Sequence, residues 1–184
     1  SNLTSLAGLD NLFSIGGGLA LYNNSALTSL TALEDLTTIG DDLWLEGNNA
    51  LTSLTGLDNL TAIGGDLWLE GNSALANLTG LQNVTSVGSS IGVYLVIDNN
   101  DSLISLTGLE NINASSVKDL FIRNNGFLSV CEVKSICDYL ASPNGTVDIS
   151  NNAAGCNSQT EVEEACDTLS VKDLDFKNEI SLFP

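Results

Sequence analysis

A repeated unit of 24 to 28 residues is the feature that most constrains how this chain can fold. Its clearest copy is Ile63–Leu81, with the sequence IGGDLWLEGNSALANLTGL. Aligned on an L-x-L core, the copies begin at Leu19, Leu43, Leu67, Leu95, Leu120 and, more weakly, Val147. An asparagine stands five residues after each start, at Asn24, Asn48, Asn72, Asn100, Asn125 and Asn152. Repeats of this length are typical of solenoids, in which each coil packs only on its neighbours.

Apolar residues form columns when the copies are aligned. The first column contains Leu27, Leu51, Leu75, Leu103 and Leu128, and similar columns follow at intervals of three residues. Strict alternation occurs only in L-x-L, so the pattern predicts one strand and a series of turns per coil rather than an amphipathic helix. A glycine column before the strand (Gly16, Gly40, Gly64, Gly88) predicts a tight corner with positive φ. The asparagine column predicts a ladder that satisfies backbone groups.

The unit I-G-G-D-L-W-L-E-G-N-x-A-L-x-x-L-x-G-L-x-N-L-T resembles the receptor L domain, a relative of the leucine-rich repeats. It is most similar to bacterial cell-surface versions of the Bacteroidetes type. The resemblance covers roughly residues 1–128, although the gaps before the strand and after the asparagine differ from the ordinary leucine-rich repeat. It implies a mainly β, right-handed solenoid with parallel sheets and a recognition role, without a catalytic residue.

The repeat divides the chain into three predicted parts: the solenoid at 1–126, a C-terminal cap at 127–168 and a linker tail at 169–184. In the cap, a capping box Ser129-x-x-Glu132 predicts a helix up to Ala141, and Thr160-x-x-Glu163 predicts a second helix through Cys166. One strand, 146–150, is expected between them. Four extra residues in Ser89–Tyr94 predict a loop on one face of the solenoid, either a binding feature or a harmless bulge.

Four cysteines lie in the predicted cap: Cys131, Cys137, Cys156 and Cys166. An even number at one end of a solenoid predicts two disulfides and an oxidising compartment. Because Cys131 and Cys137 would be too far apart on one helix to bridge each other, the first helix should be joined to the later segment. We favour Cys131–Cys156 with Cys137–Cys166, and the crossed pairing stays open. The terminal residues 181–184, SLFP, resemble the start of the sorting domain of exported Bacteroidetes proteins, which also implies a secreted or cell-surface protein.

The charge of the chain excludes some classes of partner. There are 23 acidic residues against five basic ones, and all five bases lie beyond residue 117. Nucleic acids and anionic membrane surfaces both require a basic footprint, so neither is expected as a partner. No apolar run in the sequence is long enough to predict a transmembrane segment. The sequence leaves the oligomeric state open.

The candidate site lies on the outward face of the predicted sheet, because L-x-L directs its leucines inward. Between and after the leucines stand two tryptophans, Trp44 and Trp68, and two glutamates, Glu46 and Glu70. Tyr22 and Phe121 occupy equivalent positions in other coils. Adjacent aromatic rings beside carboxylates are suited to a sugar ring or to an aromatic hot spot for a protein. The alternative is that the tryptophans only stabilise neighbouring strands.

Catalysis and metal binding are both disfavoured. Glu46 and Glu70 should lie about 5 Å apart, as in a retaining glycosidase, but a flat ladder has no cleft that would separate their pKa values. Acidic residues at the corners (Asp41, Asp42, Asp66, Asp98 and Asp101) match no known calcium loop. We therefore expect no enzyme, no cofactor and no metal site. The sequence predicts a non-enzymatic recognition module for a protein or glycan, with a passive spacer in a larger surface protein as the alternative.

Overall fold

The computed structural model describes residues 3–88 and 93–168. The predicted linker tail, the sorting-domain resemblance and most of the extra loop before the fourth repeat strand lie outside these ranges. The described part is mainly β, and its strands are parallel and stacked as a solenoid. The fold class expected from the repeat is thus confirmed.

Six strands form the long sheet of the solenoid, in the order β10-β9-β8-β6-β4-β2. They are β2 (Leu19–Tyr22), β4 (Leu43–Glu46), β6 (Leu67–Glu70), β8 (Tyr94–Asp98), β9 (Asp119–Arg123) and β10 (Val147–Ser150). Identical repeat positions are paired: Leu43 lies opposite Leu67, and Leu67 lies opposite Leu95. The register follows from the repeat, because a one-residue slip would turn every leucine out of the core.

A second, shorter sheet runs along the solenoid in the order β1-β3-β5-β7. Its strands are β1 (Ser14–Ile15), β3 (Thr38–Ile39), β5 (Ala62–Ile63) and β7 (Ser86–Val87). The expectation of one strand per coil was therefore incomplete. Two residues are too few to show an alternating pattern, so the pairing becomes visible only once the coils are stacked.

The core is a column of leucines, isoleucines and valines. Leu27, Leu51, Leu75 and Leu103 have no exposed surface, and the same holds for the leucines of the next column, Leu30, Leu54, Leu78 and Leu106. Buried beside this apolar column is the asparagine ladder. Asn48, Asn72 and Asn100 each donate from Nδ2 to a backbone carbonyl of the preceding coil, across 2.9 Å in every case. Each Oδ1 accepts the backbone N–H of the preceding asparagine of the column.

The glycine column has a different cause from the one predicted. Of its four members, only Gly88 has a positive φ, of 78°. At Gly40 and Gly64 a side chain would instead overlap the carbonyl oxygen of the glycine one coil earlier. Positive φ occurs at the position before the ladder asparagine, where Asn23, Gly47, Gly71, Asn99, Asn124 and Asn151 lie between 54° and 68°. These are the residue types that tolerate left-handed backbone.

The C-terminal cap contains two helices and closes one end of the core. Helix α1 is Lys134–Leu140, and α2 spans residues 159–168. Helix α1 begins later than predicted, since Val130 pairs with Ser105 as an isolated bridge and the Glu132 carboxylate accepts the N–H of Cys131. Helix α2 begins two residues early: Ser158 Oγ accepts the N–H of Glu161, while the Glu161 carboxylate accepts the N–H groups of Gly155 and Asn157. Local hydrogen bonds therefore decide both helix starts.

Two disulfides tie the cap together. Cys131 is joined to Cys156, and Cys137 is joined to Cys166, which is the pairing favoured from the sequence. The first bridge is fully buried, whereas the second is partly exposed. Because β10 of the cap pairs with β9 in register, the cap also extends the long sheet as its last strand.

Candidate aromatic and acidic face of the long sheet

The outward side chains of the long sheet form two parallel rows. The first row is Ala20, Trp44, Trp68, Val96, Phe121 and Asp148, and the second is Tyr22, Glu46, Glu70, Asp98, Arg123 and Ser150. Both rows follow from the alternation of a strand, since the intervening leucines point into the core. We call the part made by Tyr22, Trp44, Glu46, Trp68 and Glu70 the aromatic-acidic face.

Trp44 and Trp68 are stacked on each other at the centre of this face. Their ring centroids are 4.5 Å apart and the ring planes differ by 19°. The spacing is close to the 4.7–4.9 Å between neighbouring strands, so the register of the ladder is enough to produce the stack. Both tryptophans are partly exposed. Because each ring covers one face of the other, their edges and outer surfaces are what a partner could contact.

Each indole is tied to the carboxylate two residues further along its own strand. Trp44 Nε1 donates to Glu46 Oε2 across 3.1 Å, and Trp68 Nε1 donates to Glu70 Oε2 across 2.6 Å. The four side chains therefore hold one another in place. Among the described residues, the second oxygen, Oε1, of each glutamate accepts no hydrogen bond. The face consequently presents two positioned carboxylates, each with an oxygen available to a donor.

Tyr22 extends the aromatic-acidic face at one end. Its ring centroid lies 5.6 Å from that of Trp44, with an interplanar angle of 59°. Tyr22 is 44% exposed and is the most open member of the group, since the other four side chains are half-buried. The tilted arrangement is one of the favoured geometries for aromatic pairs. Five of the six residues predicted from the sequence are thus brought together.

Phe121, the sixth predicted residue, lies apart from the two tryptophans. Val96 separates it from Trp68 in the row, and Val96 is only 1% exposed. Phe121 instead packs near Tyr94, with ring centroids 6.1 Å apart. The Arg123 guanidinium lies over the Phe121 ring, 5.4 Å from its centroid. Phe121 therefore belongs to a second cluster on the same sheet.

An ion-pair cluster surrounds Arg123 in this second region. Arg123 Nε donates to Asp98 Oδ2 across 2.7 Å, and its Nη1 donates to Asp148 Oδ2 across 3.3 Å. Asp98 Oδ1 accepts from the amides of Asn99 and Asn124, both at 2.9 Å. The hydrogen bond to Asp98, followed by the nearby carboxylate charges, raises the pKa of Arg123 although partial burial opposes the shift. Sequence reasoning missed this cluster. Its signal was a single arginine at a repeat position that is acidic in the three preceding coils.

Two of the corner aspartates, Asp42 and Asp66, accept backbone hydrogen bonds from the following coil. Asp42 Oδ1 accepts the N–H of Asp66, and Asp66 Oδ1 accepts the N–H of Tyr94, both at 2.8 Å. Burial raises the pKa of Asp66, and the neighbouring charges of Asp42 and Asp41 act in the same direction. Within residues 3–88 and 93–168, no group of three His, Cys, Asp or Glu side chains is arranged to hold a metal ion. Asp98 forms an ion pair with Arg123.

Comparisons with known proteins add no family to this description. No family model matches the chain, and no curated protein or solved structure matches it. No helix in the described part of the chain is both long and apolar enough to cross a membrane.

Proposed function

We propose that this chain is a secreted or cell-surface recognition module that binds a protein or glycan through the aromatic-acidic face. The observation that carries the proposal is the stacked Trp44–Trp68 pair, which is partly exposed although the chain has a large apolar core in which to bury aromatic rings. Tryptophan and tyrosine are the residues most often found at the energetic centre of binding surfaces.

Three further features support this role. The repeat resembles receptor L domains, which are recognition modules. The two disulfides suit an oxidising, extracytoplasmic compartment. The network of indole and carboxylate hydrogen bonds fixes the side chains before a partner arrives, and this lowers the entropic cost of binding.

The test is a binding screen of the purified chain on a glycan array and on a panel of surface proteins. The chain is compared with a Trp44→Ala/Trp68→Ala variant, and the ligand class is read from the signals that the variant loses. A matched control is Phe13→Ala/Phe127→Ala, which removes two aromatic rings that are 66% and 69% exposed and belong to no strand of the long sheet. Near-ultraviolet circular dichroism and thermal unfolding check that each variant is folded.

We expect binding to vanish in the tryptophan variant and to persist in the phenylalanine control. Equal loss in both variants would contradict the proposal, because it would indicate nonspecific adhesion through exposed aromatic rings. The absence of any ligand for the unmodified chain would favour the alternative function, a passive spacer in which the tryptophan stack only stabilises adjacent strands.

A further inference from the structure

The chain contains its own example of how this sheet accommodates a cation. The Arg123 guanidinium lies over the Phe121 ring and donates to the carboxylate of Asp98 on the neighbouring strand. An aromatic ring in the first outward row and a carboxylate in the second row together form this niche. A guanidinium suits such a niche because it can stack on a ring and donate in its plane at the same time.

The same combination of side chains is repeated on β4 and β6. Trp44 and Trp68 occupy the row of Phe121, and Glu46 and Glu70 occupy the row of Asp98. Tryptophan is the best of the aromatic residues for contact with a cation. The two niches on β4 and β6 therefore contain a stronger aromatic partner than the one that Arg123 already uses.

No basic residue of the described ranges fills these two niches. The bases there are Lys118, Arg123 and Lys134, and each is paired elsewhere: Lys118 with Asp119, Arg123 with Asp98 and Asp148, and Lys134 with Asp138. The Glu46 and Glu70 carboxylates are charge-complementary to a basic partner, and Arg123, the base in the same outward row, is paired with Asp98 and Asp148.

We propose that the aromatic-acidic face docks a basic protein segment and that it takes an arginine side chain of this segment at Trp44, Trp68, Glu46 and Glu70. The guanidinium contacts the solvent-facing side of the indole pair and donates to the Oε1 atoms of the two glutamates, which accept no hydrogen bond from a described residue. This inference rests on the proposed recognition function and names the class of partner. Lysine fits less well, since its ammonium cannot stack on a ring and bridge two carboxylates in one plane.

The experiment uses the intrinsic fluorescence of the chain, because its only two tryptophans are Trp44 and Trp68. The probe is a nine-residue peptide of three arginines spaced by glycine and serine, without aromatic residues. Peptides with lysine or citrulline in place of arginine are the matched probes. We expect a saturable change in emission with the arginine peptide, at least tenfold weaker binding of the lysine peptide and no response to citrulline.

Two charge-matched variants localise the interaction. Glu46→Gln/Glu70→Gln keeps an acceptor for each indole N–H but removes both charges, and should weaken binding of the arginine peptide at least tenfold. Glu34→Gln/Asp35→Asn removes the same charge from two exposed acids outside the long sheet and should leave binding unchanged. Unfolding by denaturant confirms that both variants are folded.

Three results would overturn the inference: no saturable signal at millimolar arginine peptide, equal affinity for the lysine peptide, or equal weakening in both double variants. The last two would reduce the effect to nonspecific charge attraction. If the peptide fails but the binding screen still finds a tryptophan-dependent ligand such as a glycan, the partner class is wrong and the recognition function stands. If both fail, the recognition function itself is wrong.

Discussion

The backbone N–H of Asn48 donates to Oδ1 of Asn72 across 3.0 Å, in the interior of the solenoid. Asn72 Nδ2 donates at the same time to the carbonyl of Leu45, and Asn72 has no exposed surface. One side chain therefore accepts a backbone N–H at the corner of the preceding coil and donates to a carbonyl of the strand before that corner. The ladder of such asparagines is the main polar structure inside the core.

Asn72→Leu should strongly destabilise the protein. Leucine fills a similar volume but leaves the buried Asn48 N–H without its acceptor, at a cost of about 1–3 kcal/mol, and also removes the hydrogen bonds of Asn72 with Asn48 Nδ2 and the Leu45 carbonyl. We expect the free energy of unfolding, measured in urea, to fall by about 2–5 kcal/mol. Asn49→Ala is the control, since Asn49 is exposed and its side chain bonds, among the described residues, to Ser73 alone. A change at Asn72 no larger than that of the control would contradict the structural role of the ladder.

The stack of Trp44 and Trp68 should be measurable as a coupling energy. In a double-mutant cycle with Trp44→Leu and Trp68→Leu, we expect the two losses of stability to differ from additivity by about 0.5–1.5 kcal/mol, the value typical of aromatic pairs. Equilibrium unfolding followed by circular dichroism gives the three differences. Losses that add within error would show that the rings do not interact in solution.

Gly64→Ala should destabilise the chain through backbone crowding. The new methyl group would overlap the carbonyl oxygen of Gly40 in the preceding coil, and overpacking of this kind costs about 1–3 kcal/mol. Gly16→Ala is the matched control from the same glycine column, because its methyl group would meet no atom within 4 Å. Thermal unfolding distinguishes the two substitutions. The explanation by close approach fails if both lower the melting temperature equally.

The two disulfides should differ in their sensitivity to reductant. Cys131 and Cys156 are fully buried, whereas Cys137 and Cys166 are partly exposed. Thiol–disulfide exchange requires access of the attacking thiolate, so Cys137–Cys166 should be reduced first under native conditions. Alkylation followed by peptide mass mapping identifies the reduced pair. Prior reduction of Cys131–Cys156 would indicate that the cap opens more readily than its packing suggests.

Asp119 should make stability sensitive to acid. The N–H of Thr146 donates to Asp119 Oδ1 and, as the largest cause, lowers the pKa of this carboxyl below its ordinary 3.8. A lowered folded-state pKa means that the stabilisation is present above the unfolded pKa and is lost as pH falls through the folded value. The difference in unfolding free energy between the unmodified chain and Asp119→Asn should therefore be constant at neutral pH and shrink below about pH 3.9. A difference that does not change with pH would exclude this role.

Much of the fold could be predicted from the sequence, because a solenoid repeats the same local packing in every coil. The period located the strands of the long sheet, the core columns and the asparagine ladder. The sequence also indicated the two disulfides and the helical cap. It did not predict where the two cap helices begin. Glu132 bonds to the N–H of Cys131 instead of completing a capping box, and Ser158 rather than Thr160 caps the second helix. The short sheet was missed because its two-residue strands become defined only when the coils stack.

The amino-acid sequence determined one part of the candidate site, and the tertiary structure determined the other. The sequence alone placed Trp44, Trp68, Glu46 and Glu70 at equivalent repeat positions, and equivalence in a parallel ladder is enough to bring them together. Only the tertiary structure decided that Phe121 lies apart and that Asp98 is buried and paired with Arg123. The physical reason is that repeat position fixes the direction and register of a side chain, whereas burial and pairing depend on what fills the neighbouring coils. Arg123 on β9 stands at the position that is acidic on β4, β6 and β8. This one residue is sufficient to turn part of the acidic row into an ion-pair cluster.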